Sequence, residues 1–138
     1  MTAKEYLGQA YRLDQRINSK LEQVMSLRDL ATKATSTLSD VAPSGTRNVH
    51  RMEDIIVKIV DLENEINRDI DNLVDLKREM VSVIKAVTDP ELQTLLELRY
   101  LCFKSWEQIA VEMKHGIDNV YKLHQKAIKY VGLALSLQ

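Results

Sequence analysis

The sequence has 138 residues, 45% of them hydrophobic, with only four Gly, two Pro and one Phe, and a formal net charge of −1. Such an apolar fraction excludes a disordered chain, and the abundance of Leu, Ile, Lys, Glu and Asp favours helix over sheet throughout. The near-neutral charge excludes a protein that coats nucleic acid indiscriminately, because phosphate neutralisation needs a local excess of Lys and Arg.

Between Thr2 and Thr37 there is no Pro, and the only Gly is Gly8, so a first helix can run with little interruption. Ala10, Ile17, Val24, Ala31 and Leu38 fall at one heptad core position, and Tyr6, Leu13, Lys20, Leu27 and Ala34 at the other. Lys20 is the exception, and its methylenes are expected to lie along the seam with the ammonium in water. The stretch from Leu38 to Arg47 concentrates Ser, Asp, Pro, Gly and Thr and reads as a loop.

From about Asn48 to Val87 the heptad resumes. Met52, Ile59, Ile66, Leu73, Met80 and Val87 occupy one core site, and Ile55, Leu62, Asp69, Leu76 and Val83 the other. A helix of roughly 40 residues is about 60 Å long and needs a long partner, which an antiparallel hairpin with the first helix supplies. Leu7, Leu21, Ile56, Ile70 and Ile84 lie beside the seam and widen it, so a homodimer or higher bundle is expected. Ile17, Val24, Ile59, Leu62, Ile66, Leu73, Leu76 and Met80 are the candidate oligomer seam, within or between chains. Asp69 is read at the bundle edge, with fixing of register as the alternative.

Asp89-Pro90 opens a third helix, with Asp as cap, Pro at the first helical position and Glu91 at the positive end, running to about Leu101. Ser105 and Gln108 have the spacing of a capping box, and Trp106, Ile109, Ala110 and Met113 recur as one buried stripe. Lys114-His115-Gly116 supplies a break. Val120, Leu123, Ala127 and Val131 then form a second stripe, while Asp118, Tyr121, Lys122, Gln125 and Lys129 point the other way. The fold class is therefore all-α: a long, coiled-coil-like antiparallel hairpin over residues 1–88, followed by a helix-turn-helix unit over residues 89–138.

The run Ser105-Trp106-Glu107-Gln108-Ile109-Ala110, the apolar Val120 and Leu123, and Lys126-Ala127-Ile128 resemble, without a gap, region 4 of bacterial sigma-70 factors. Pro90 to Tyr100 resembles the helix before the helix-turn-helix in that region. The whole chain, including Met1 to Leu7 and Arg99 to Phe103, is similar to small phage and prophage proteins of Gram-positive bacteria. The resemblance implies a phage transcription regulator acting on double-stranded DNA, with RNA polymerase or another regulatory protein as a further partner.

Under that implication Asp118, Asn119, Tyr121, Lys122 and Gln125 face base edges, with Lys104, Lys126 and Lys129 nearer phosphates and Ser105 at a helix start that can approach phosphate. Gly116 stands where the family has a Thr or Ser cap, and Ile117 where it has a basic contact residue. Ile117 cannot hydrogen-bond a base edge, although it can touch a thymine methyl. The alternative is an interaction module that engages polymerase, a repressor or a host factor without reading DNA.

Enzyme chemistry finds little support. His50, His115 and His124 lack the spacing of a helical metal pair, so no metal is expected, and no Gly-rich phosphate loop is present. The acidic series from Asp61 to Asp75 reads as a solvated flank neutralised by Arg68, Lys77 and Arg78. Cys102 reads as a core thiol, Trp106 as core, and His124 as a flank of the DNA face. No catalysis and no cofactor are expected. A lone cysteine, the lack of a leader pattern and the lack of an apolar run of about 18 residues suggest a cytoplasmic protein of the bacterial host cell, with no membrane partner.

Overall fold

The computed structural model describes residues 1–38 and 45–137, and every regular element among them is helical. Helix α1, Ala3–Leu38, starts at a reciprocal cap that satisfies two donors: Thr2 Oγ1 accepts from Glu5 N at 3.1 Å, and Glu5 Oε2 from Thr2 N at 3.2 Å. Helix α2 runs Gly45–Lys85. Leu38 and Gly45 to Arg47, expected in the loop, are therefore helical, since the first turn of a helix tolerates Gly and Thr where N–H groups have no intrahelical partner. The rest of that expected loop, residues 39–44, lies outside the described residues. No described helix is long and apolar enough to cross a membrane.

Packing divides the chain into one unit of Gln15–Asn72 and another of Met1–Asp14 with Leu73–Gln138, where the sequence suggested 1–88 and 89–138. Leu7, Ala10, Met80, Val83 and Ile84 of the two long helices pack with the carboxy-terminal helices in one core.

In the Gln15–Asn72 unit, Ile17, Val24 and Ile66 are 5–6% exposed and Ala34 9%, while Leu27, Ile55, Ile59 and Leu62 are half-buried at the expected heptad sites. Lys20 meets Glu65 and Asp69, and Arg28 meets Glu63, so rising numbers on α1 pair with falling numbers on α2. The hairpin is antiparallel. Its seam lies within one chain, and the large apolar residues left exposed among the described residues of this unit are Leu21, Met25, Leu30, Val49, Ile56, Val57, Val60 and Ile70. Neutralisation of the acidic flank follows expectation in part: Arg78 pairs with Asp75 on the same helix, whereas Glu63, Glu65 and Asp69 take their cations from the facing helix, a geometry that the sequence of α2 alone cannot reveal.

The other unit is built on one core. Leu7, Ala10, Met80, Val83, Ile84 and Val87 pack with Leu92, Leu96, Tyr100, Ala127 and Val131, and Leu73 and Leu76 are half-buried against them. Leu7 and Ile84, expected beside the seam as sites of further association, are 0% and 1% exposed because α3 (Pro90–Leu96) and α5 (Ile117–Ser136) cover them. Helix α3, Pro90–Leu96, is capped by Asp89, whose carboxylate accepts from Glu91 N at 2.9 Å. Gln93 reaches back to donate to the Lys85 and Val87 carbonyls, which closes the end of α2.

Candidate nucleic-acid interface

The helix expected to end at Leu101 changes pitch before it does so. Glu97–Leu101 is a π-helical turn, closed by Cys102 N–H to Glu97 O at 3.0 Å, and Phe103 follows in the left-handed region at φ 59°. Cys102 is exposed rather than core, because it caps this turn at the surface. Helix α4, Trp106–Met113, then begins on the full capping box: Ser105 Oγ accepts from Gln108 N at 3.2 Å and Gln108 Oε1 from Ser105 N at 2.9 Å.

The break between α4 and α5, Ile117–Ser136, is made by Lys114 at φ 59°, ψ 42°, with Gly116 as an extended N-cap that offers no side-chain bond. A second tether fixes the start of α5. Asn119 Nδ2 lies 2.8 Å from His115 Nδ1, and His115 Nε2 lies 2.5 Å from Glu91 Oε1 on α3. An amide donating to Nδ1 and an imidazole Nε2–H donating to the carboxylate satisfy all three groups.

Helices α4 and α5 pack through Ile109 and Val120, both 0% exposed, against Leu95, with Trp106, Ala110, Met113 and Leu123 around them. Behind this lies an aromatic group that the sequence reading missed. His124, expected to flank the outward face, is 8% exposed and its Nε2 lies 2.5 Å from the Tyr100 hydroxyl. Trp106 sets its ring against His124 at 4.5 Å and Tyr121 at 5.6 Å, and the Arg99 guanidinium lies 4.3 Å from the Trp106 ring centre.

Burial, aided by the Lys4 and Arg99 charges, pushes the His124 imidazole down to about 4, so it is neutral and its Nε2 can accept a hydrogen bond from the Tyr100 hydroxyl. Burial pushes Tyr100 up to about 12. The signal was present in the sequence: position 124 follows Val120 by four residues and precedes Ala127 by three, so helical spacing puts it on the buried stripe.

Ile117, Asp118, Asn119, Tyr121, Lys122, Gln125, Lys126 and Lys129 are all exposed on α5. At 100° per residue, Asp118, Lys122, Gln125 and Lys129 lie opposite Val120, His124, Ala127 and Val131, with Lys126 beside them. Three lysines face outward here against one aspartate. Tyr121 is turned towards α4, and Asn119 is engaged by His115.

The other two candidates stand apart. Lys104 is ion-paired with Glu112, and the Ser105 hydroxyl is used in the cap of its own helix. Neither is a free phosphate contact as the side chains stand.

Fold and site together define an all-helical protein that combines a long antiparallel hairpin with a carboxy-terminal pair of helices joined by a tight turn. The chain belongs to the family described as Protein of unknown function (DUF1492), whose pattern matches residues 32–132. No curated protein and no solved structure matches it.

Proposed function

We propose that this chain is a phage-type, DNA-binding transcription regulator of the bacterial cytoplasm, resembling sigma-70 region 4, that presents α5 to a major groove. One observation carries the reading: the exposed stripe of Asp118, Lys122, Gln125, Lys126 and Lys129 stands opposite a fully packed stripe on the same helix. A recognition helix needs both, since a firm inner face sets the angle at which polar side chains meet base edges. Lys122, Lys126 and Lys129 supply phosphate attraction, and Gln125 supplies amide groups suited to an adenine edge.

One copy offers a modest charge, so the functional species is an oligomer carrying two readers. Leu21, Met25, Ile56, Val57 and Val60, which are exposed on the hairpin, support that association in place of the seam residues that the chain buries itself. Selection of genomic fragments by purified protein, followed by titration at rising salt, tests the reading. A sequence-preferring complex that weakens steeply with salt is expected, and no enrichment of any fragment removes it.

A second reading is favoured by Ile117, 36% exposed at the first position of α5, and Val111, 79% exposed on α4. These apolar residues suit a protein surface, such as polymerase or a repressor, better than a phosphate backbone. Stoichiometric capture of polymerase by the chain, lost on Ile117→Lys, would favour this reading over DNA.

A further inference from the structure

The first turns of α1 and the segment from Arg99 to Gln108 enclose a cleft of about 730 Å³. Lys4, Arg12 and Arg99 line it against the single carboxylate of Glu5. Four aromatic residues, Tyr11, Tyr100, Phe103 and Trp106, line it as well. Cations and aromatic faces in one concavity of that size select a planar, negatively charged ligand.

The walls are held in place by unusual backbone. The π-helical turn delivers Arg99 to the cleft, and π turns of this kind recur at functional sites. Arg99 is then fixed twice, by Nη1 donating to Lys104 O at 3.0 Å and by the Trp106 ring. Phe103 reaches the wall from the left-handed region, a conformation that bulky residues adopt only when the surrounding structure enforces it. Its ring meets Tyr11 edge-on at 5.6 Å, with Lys77 Nζ 4.6 Å from its centre.

Gly8 lies on the same wall. Glycine weakens the interior of a helix, yet a Cβ at this position would meet Arg12 Nη1 at 3.1 Å. The guanidinium folds back close over this position along α1, where Nη2 donates to Glu5 O at 3.1 Å. The arginine is laid along the cleft wall and remains exposed to solvent.

We propose that this cleft binds a small aromatic anion of mononucleotide size, its ring beside Tyr11 and Phe103 and its phosphate between Lys4, Arg12 and Arg99. Bidentate guanidinium contacts suit a phosphate, and the aromatic walls suit a nucleobase. Ser105 is the one residue shared with the expected DNA contacts, so the site does not depend on the DNA reading.

Calorimetric titration of the full chain with the nucleoside monophosphates, the parent nucleosides, inorganic phosphate and a short DNA duplex tests this. At least one monophosphate is expected to bind, with its nucleoside and inorganic phosphate each roughly tenfold weaker or more, since each keeps only half of the contacts. Lys4→Gln with Arg12→Gln should weaken binding about tenfold or more while the helical circular dichroism and melting temperature hold, because both side chains are exposed. Quenching of Trp106 fluorescence should follow the same isotherm. Absence of binding by every monophosphate at millimolar concentration overturns the proposal, as does undiminished binding by the double variant. Equal binding by inorganic phosphate overturns it too, and so does duplex binding without mononucleotide binding, since the exposed face of α5 accounts for the duplex by itself.

Discussion

Lys20 Nζ stands 2.6 Å from Asp69 Oδ2, and the two side chains are 14% and 18% exposed. They are the polar interruptions of the two apolar heptads, and each is the other's partner. Lys20 therefore does not send its ammonium to open water, and Asp69 is part-buried against it, the arrangement that the register alternative calls for. Sliding one helix along the other would leave both charges facing apolar side chains, which costs several kcal/mol per ion.

Removing one member of this pair should hurt more than removing both. Lys20→Met is expected to destabilise the hairpin by about 1–3 kcal/mol, because Asp69 keeps its burial and loses its closest cation. Lys20→Met with Asp69→Leu should recover most of that loss. Urea denaturation of the wild type, both single variants and the double variant closes the cycle. Simple additivity of the two losses would contradict a register pair.

Acid should act through His124. Its folded pKa of about 4 lies below the ordinary 6.5, so the unfolded chain binds the extra proton first as pH falls. The stabilising contribution is complete above about pH 6.5 and is lost progressively down to about pH 4, by up to about 3 kcal/mol. Thermal melts across this window should drop for the wild type, and His124→Phe should flatten that part of the curve. An unchanged pH slope in the variant would put the acid sensitivity elsewhere.

Lys114 occupies the left-handed region at the end of α4, where glycine carries no Cβ penalty. Lys114→Gly should raise stability by about 0.5–1 kcal/mol, measured by chemical denaturation. Ser105→Ala should lower it by about 1 kcal/mol by removing one side of the capping box. Together these substitutions test whether the two ends of α4 hold the helix-turn-helix geometry as described.

Charge reversal on α5 addresses function with the least structural disturbance. Lys122→Glu with Lys126→Glu changes two exposed side chains and should abolish DNA binding while circular dichroism and oligomer mass stay as they were. Electrophoretic shift at low salt is the readout. Retained binding would move the contact surface off this face.

Much of this molecule was written in local pattern. The heptads of both long helices, the Asp89 and Ser105 caps and the break at Lys114 to Gly116 follow from periodicity and from the need to satisfy backbone groups near in sequence. The same rules placed the exposed stripe of α5. What periodicity alone did not supply was partnership at long range. It could not pair Lys20 with Asp69, turn the seam inward within one chain, lay Arg12 over Gly8, or carry Arg99 on a π-helical turn to the ring of Trp106. A helical repeat sets which side of a helix is apolar, but charge partners and cleft walls depend on which distant segment packs there and in what register, and only the tertiary structure decides that.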